Sequence, residues 1–340
     1  MKAKLKPRIQ LENRPKLETL IPIATPYVVV VDPASSCNFK CTFCPTGHRQ
    51  LIADTGRYQG TMKWEVFTKI VDDLEEFDDP IRVLRLYKDG EPLLNKRFAN
   101  MVSYAKQSGY ISFIDTTTNA SLITPERMGP ILEAGLDRIN ISVDGMTEET
   151  YKKFIGVKFD FPKMVENIKW IYANKGNCEI AVKIPNELLE GTPAQVFFDT
   201  FGDYCDRIFI ENFAPCWPEF DVEARTGVKI TKGLYNQEIG NTEVCPYIFY
   251  QYSVNADGLV SSCFLDWQRK LVIGDVRTQS MKEIWNSKKM NDLRVLHLEG
   301  KRHENSTCGS CGQLSHCLPD NIDAYRLNLL DRVKGSLNLA

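Results

Sequence analysis

The sequence predicts an α/β fold: a partial (β/α)6 TIM-like barrel followed by a small α+β domain. Three observations carry this prediction. Short Val- and Ile-rich runs alternate with amphipathic stretches from Tyr27 to about Asn212. The runs number six, two short of the eight that close a TIM barrel. After Pro218 the rhythm breaks into a hairpin pattern, two helical stretches and a cysteine-rich loop. The expected division is therefore an N-terminal extension over 1–26, a barrel over 27–218 and a second domain over 219–340.

The six runs expected as strands are Tyr27–Val31, Val83–Tyr87, Ile111–Asp115, Arg138–Val143, Glu179–Ile184 and Arg207–Ile210. Each is short and apolar, as strands buried on both faces are. Glu65–Phe77 places Val66, Ile70 and Leu74 on one helical face. Thr124 before Pro125 reads as an N-cap with proline at the first helical position. Phe161–Ala173 carries Val165, Ile168 and Tyr172 on one side. Six such repeats imply a parallel sheet with right-handed crossovers, and functional side chains at the strand C-termini. In the second domain, Tyr247–Val254 and Leu259–Cys263 flank Asp257-Gly258 as a hairpin. Met281–Leu296 and Asn321–Lys334 read as helices.

Composition excludes several classes. The chain has 340 residues, 43% hydrophobic and 25% charged, with 42 basic against 44 acidic residues. This is a globular composition with no basic excess for nucleic acid. The longest apolar-rich stretch, Ile21 to Val31, is shorter than the ~20 residues that span a bilayer. Met1 to Leu20 has no apolar core of a secretory signal. A cytoplasmic protein, with neither nucleic acid nor membrane as partner, is expected. Eleven cysteines in that compartment lean toward metal or redox chemistry rather than disulfides.

Cys37, Cys41 and Cys44 form a CxxxCxxC cluster directly after the first predicted strand. Three thiolates within eight residues can hold three corners of a [4Fe–4S] cube and leave one iron open. A zinc knuckle with a remote fourth ligand is the competing reading, but zinc sites usually pair two CxxC or CxxH halves. With Phe43 before the last cysteine and a six-fold βα pattern around it, the cluster resembles the radical S-adenosylmethionine (SAM) superfamily over roughly Tyr27 to Asn212. The resemblance implies that the open iron binds SAM. It also implies reductive cleavage to a 5′-deoxyadenosyl radical, hydrogen abstraction from substrate, and flavodoxin or ferredoxin as electron donor.

Other positions take their roles from the same resemblance. Asp89-Gly90-Glu91-Pro92 is similar to the family's GGEP motif, with Asp89 in place of its first glycine. It implies that Gly90, Glu91 and Pro92 hold the methionine amino group, although the residues alone also fit a plain turn. Asn119 and Ser142-Val143-Asp144 end the third and fourth strands, where the family lines its nucleoside pocket, with Ser142 facing the ribose. Asp144-Gly145 equally suits a turn. Lys183, near the end of the fifth strand, is a candidate for the methionine carboxylate.

Cys245, Cys263, Cys308, Cys311 and Cys317 follow in the last third, and from spacing alone they suit zinc or iron–sulfur. Their order resembles the SPASM/twitch extension of radical SAM enzymes, in the single-cluster arrangement of 2-deoxy-scyllo-inosamine dehydrogenases. One auxiliary [4Fe–4S] cluster on Cys245, Cys263, Cys308 and Cys311 is implied, with Cys317 able to replace one of the last pair.

Cys178 and Cys205 read as packing residues. Cys216 lies just past the sixth strand, where a thiol can donate hydrogen to a substrate radical or be an inert loop residue. Three classes compete: an enzyme on a small-molecule substrate such as a sugar or cyclitol, a peptide-maturing enzyme, and a non-catalytic metal protein. The intact triad opposes the last. The 26 residues before the first strand are short for a peptide-recognition domain. The expectation is oxidation of a sugar or cyclitol alcohol, with epimerisation through Cys216 as the alternative.

Overall fold

The computed structural model describes residues 1–9 and 14–337. Ten strands form one sheet in the order β1-β7-β6-β5-β4-β3-β2-β8-β9-β10. They are β1 Lys4–Leu5, β2 Val28–Val31, β3 Val83–Leu86, β4 Ile114–Thr118, β5 Arg138–Ser142, β6 Glu179–Pro185, β7 Arg207–Glu211, β8 Gln251–Val254, β9 Leu259–Ser261 and β10 Val272–Asp275. Strands β2 to β7 pair in parallel, each with the next in sequence. The helices Trp64–Asp72, Phe98–Gln107, Pro125–Glu133, Phe161–Asn174 and Ala194–Phe201 make the crossovers. This is the open, six-stranded βα barrel.

Neither barrel edge is left bare. β1 pairs in parallel with β7, and β8 pairs in parallel with β2. The first residues and the C-terminal region thus extend the barrel sheet itself. An unpaired edge strand invites association, and both ends are covered. The hairpin β8–β9 turns at Gly258, whose φ of +92° only glycine adopts without strain.

Several elements differ from the sequence expectation; in the second domain Tyr247–Phe249 is a 3₁₀ turn ahead of β8, and the last helix is Arg326–Ser336 rather than Asn321–Lys334. The third barrel strand is Ile114–Thr118 rather than Ile111–Asp115; Ile111 makes only an isolated bridge to Ile81. Threonine suits a strand, and Thr116 satisfies its buried hydroxyl on the Leu86 carbonyl at 2.8 Å. The stretch Met281–Leu296 is two helices, Met281–Trp285 and Lys288–Leu298, because Ser287 caps the second by accepting from the Met290 N–H. The predicted helix Glu65–Phe77 ends at Asp72 and continues as a 3₁₀ turn. Thr124 is the expected N-cap, accepting from the Arg127 N–H. Among the described residues, no helix is long and apolar enough to cross a membrane.

Candidate active site

The loop after β2 carries Cys37, Cys41 and Cys44, all free and half-buried. It is pinned from several directions. Arg57 donates to the Ser35 carbonyl at 3.2 Å and to the Thr46 hydroxyl at 3.0 Å. Lys40 and Thr42 donate their N–H groups to Ile155 and Phe154. The turn after β3 touches the loop without a side chain between: the Glu91 N–H donates to the Ser36 carbonyl at 3.1 Å. A Cβ on Gly90 would lie 2.0 Å from the Ser36 carbonyl oxygen. Glycine is thus required by close approach.

Asp89 explains itself by its partners. Its buried carboxylate meets Arg269 at 2.6 Å, Lys88 at 3.0 Å and Arg57 at 3.7 Å. These cations hold it well below the usual carboxylate range. Arg269 comes from the segment after β9, so the residue that departs from the GGEP pattern ties the thiol loop to the C-terminal region.

Glu91 is buried, and its carboxylate accepts from the Leu93 N–H at 3.1 Å, the Thr118 hydroxyl at 2.8 Å and the Asn119 N–H at 2.8 Å. It joins the ends of β3 and β4, and burial pushes it up to about 7. Pro92 opens the 3₁₀ turn that follows. Asn119 reaches back to the Cys37 sulfur at 3.7 Å and to Asn38 at 3.0 Å.

A cavity of about 590 Å³ fills the barrel interior. Cys44, Phe43, Ser142, Asp144, Lys183 and Cys216 all line it. Phe43 packs on Phe213 with ring centroids 4.8 Å apart. Asp144 is buried, which raises it to about 7 against the opposing pull of Lys183. Lys183 is ion-paired with Glu211. Burial also pushes the Cys216 thiol well up, so it keeps its proton.

Cys245, Cys263, Cys308 and Cys311 line one second, largely apolar cavity. Cys317 does not; it lines the barrel cavity with Cys216. His297 shows that this cavity suits a sulfur-rich group. Burial keeps it neutral, lowering its pKa to about 3. Its Nδ1 accepts from the Cys245 N–H at 3.2 Å, so Nε2 carries the hydrogen, and that buried donor has no protein partner. A donor beside four thiols is what the sulfurs of a cluster accept from. Among the described residues no three Cys, His, Asp or Glu side chains converge as a single metal ion requires. A cube instead spreads its cysteines over separate irons.

Two family models match this chain: the radical SAM superfamily over residues 31–190, and an iron–sulfur cluster-binding domain, SPASM, over 245–312. This chain carries a radical SAM domain and a SPASM domain. The radical SAM enzyme uses S-adenosylmethionine, the [4Fe–4S] cluster that binds it, and an auxiliary cluster. It is 24% identical to the tungsten-containing aldehyde ferredoxin oxidoreductase cofactor-modifying protein of Pyrococcus furiosus, over 83% of this chain and 86% of that one. Its fold is that of BtrN, solved in complex with AdoMet and 2-DOIA (TM-score 0.57, 17% identity, 84% of this chain and 92% of that one). It is also that of Streptococcus suis SuiB bound to precursor peptide SuiA (TM-score 0.60, 14% identity, 89% of this chain and 73% of that one).

Several residues of this radical SAM site were not legible in the sequence. Arg57 and Arg269 come from distant segments and meet only at Asp89. Arg8 reaches the barrel cavity from the N-terminal extension. Arg85 and Tyr87 had a usable signal, since two polar residues alternating with Leu86 in an apolar strand must face something polar.

Proposed function

We propose that this radical SAM enzyme oxidises an alcohol carbon of a small-molecule substrate, a sugar or cyclitol, in the barrel cavity. One observation supports oxidation most. The four-cysteine cavity and the barrel cavity share Tyr247, Phe264, Leu265 and Gln313 as a common wall. An electron acceptor held by the four cysteines would therefore lie beside a substrate in the barrel cavity.

In this reading Cys37, Cys41 and Cys44 hold the SAM-binding cluster, and Cys245, Cys263, Cys308 and Cys311 hold the auxiliary one. Once bound, the first cluster with SAM would supply the hydrogen-abstracting 5′-deoxyadenosyl radical, and the second would supply an electron acceptor. Gly90 and Pro92 shape the turn against the thiol loop, and Glu91 keeps that turn joined to β4. Ser142 offers a hydroxyl to the ribose, and Phe43 on Phe213 gives the cavity an apolar wall. Oxidising an alcohol to a carbonyl also releases a proton. Asp144, held at about 7, can take it near neutral pH. Lys183, paired with Glu211, presents a cation at the same strand ends. A flavodoxin or ferredoxin supplies the reducing electron.

A second reading rests on Cys216, whose protonated thiol shares the cavity with Cys44. Hydrogen donation from that thiol would make the enzyme an epimerase. Product mass decides. A product two hydrogens lighter than substrate supports oxidation; an isomer of equal mass in ordinary water that gains one mass unit when made in deuterium oxide overturns it.

A further inference from the structure

We infer that the barrel cavity is built for a substrate bearing an anionic group, a carboxylate or a phosphate, gripped by Arg8 and Arg85 around the Tyr87 hydroxyl. This inference rests on the radical SAM reading of the cavity and adds the substrate's charge.

The charges of the cavity are unevenly spent. Seven basic side chains line it, and five of them hold a carboxylate at 3.1 Å or less. Arg14 meets Asp320, Lys88 meets Asp89, Arg138 meets Asp115, Arg207 meets Glu179 and Lys183 meets Glu211. Arg8 and Arg85 remain. Among the described residues Arg8 has no carboxylate within ion-pair distance; its hydrogen-bond partner is the Tyr87 hydroxyl at 3.1 Å. Arg85 donates to the same hydroxyl at 3.3 Å and comes no nearer than 3.9 Å to Asp115, which Arg138 already holds at 2.8 Å. Glu211, the other acidic group near Arg8, is taken by Lys183.

Two guanidinium groups thus converge on one hydroxyl oxygen. The Nε atoms of both are buried and make no hydrogen bond; that of Arg85 has only Asp115 at 3.9 Å. Like charges brought together away from water repel, and unmade hydrogen bonds of charged donors are costly. An anion relieves both, and the planar guanidinium fork matches carboxylate and phosphate oxygens alike. The place is distinct from the thiol loop. Arg85 stands in register with Val30 and Asp115, inside the barrel and four residues ahead of Asp89. Arg8 follows β1, the strand that extends the sheet beyond β7, so the N-terminal extension supplies half of the receptor.

The test is calorimetric titration of the full, anaerobically reconstituted protein with inorganic phosphate and, separately, with succinate, at ionic strength fixed by sodium chloride. Saturable binding of either anion is expected, and the tighter one names the group. Affinity should fall roughly tenfold or more in Arg8→Gln and in Arg85→Gln, the loss of a charged hydrogen-bonding partner. No saturable binding of either anion, or binding unchanged in both variants, overturns the inference. If Arg8→Gln does not fold, Arg8→Lys keeps the charge and loses the fork; weakened binding supports the inference and unchanged binding overturns it. SAM cleavage by the same wild-type preparation separates the two readings. 5′-Deoxyadenosine without anion binding sinks only this inference, and anion binding without 5′-deoxyadenosine sinks only the radical reading.

Discussion

Adding one methyl group at Gly90 should damage the enzyme by displacing the thiol loop. The Cβ of Gly90→Ala would fall 2.0 Å from the Ser36 carbonyl oxygen and 2.4 Å from that of Ala34. Both obstacles are backbone, so neither can swing aside as a side chain does. Reaching even 3.0 Å requires the loop before Cys37 to retreat by at least about 1 Å. That retreat breaks the bond from the Glu91 N–H to Ser36, now 3.1 Å. Overpacking of this kind costs ~1–3 kcal/mol, and the lost hydrogen bond ~1 kcal/mol more. A displacement near 1 Å at the reacting groups can lower a rate roughly 100-fold. The assay is 5′-deoxyadenosine formation by reconstituted protein, with iron content and thermal midpoint recorded alongside. Gly129→Ala is the control: nothing lies within 4 Å of its Cβ, and it sits inside the helix Pro125–Glu133. That change should hold or raise stability by ~0.4–1 kcal/mol. A Gly90→Ala protein with full iron and wild-type cleavage would refute the reasoning from close approach.

Further outcomes follow from the same geometry. Cys41→Ala should abolish SAM cleavage and leave roughly four irons, the content of one remaining cluster; eight irons or retained cleavage would count against the thiol assignment. Cys263→Ala should stop oxidation while 5′-deoxyadenosine still forms, whereas Cys216→Ser should keep oxidative turnover; the opposite pattern, read by product mass, favours epimerisation. Asp32 is held up to about 6 by its burial and by Asp89, and its Oδ2 has no partner. A carboxyl raised in the folded state stabilises fully below its unfolded value of 3.8 and loses that contribution as pH rises through about 6. Asp32→Asn should therefore be more stable than wild type by ~1–3 kcal/mol at pH 8, with the difference vanishing near pH 4. Denaturant midpoints at both pH values check this, and an advantage that grows toward acid would contradict it.

The local part of this protein was readable from its sequence. CxxxCxxC lies within eight residues of one loop, and an Asp-Gly turn or a Thr-Pro cap acts over two to four. Five of the six barrel strands announced themselves as short Val- and Ile-rich runs, the pattern of strands buried on both faces. Even the slip at β4 has a local cause, since Thr116 looked polar until its hydroxyl found the Leu86 carbonyl. What tertiary structure alone decided are the pairings between distant segments. The four cysteines that share a cavity span residues 245 to 311, and Cys317, only six further on, faces the barrel beside Cys216. Asp89 read as a departure from a motif until Arg57 and Arg269, from two other segments, closed around it. Arg8 gave no signal, because an arginine in a charged N-terminal stretch reads as solvated. It becomes part of the cavity only because β1 joins the sheet at β7 and carries it there. Side-chain periodicity records which way a residue faces along its own element. Which residue it meets there depends on how the chain closes over hundreds of positions, and no local pattern encodes that.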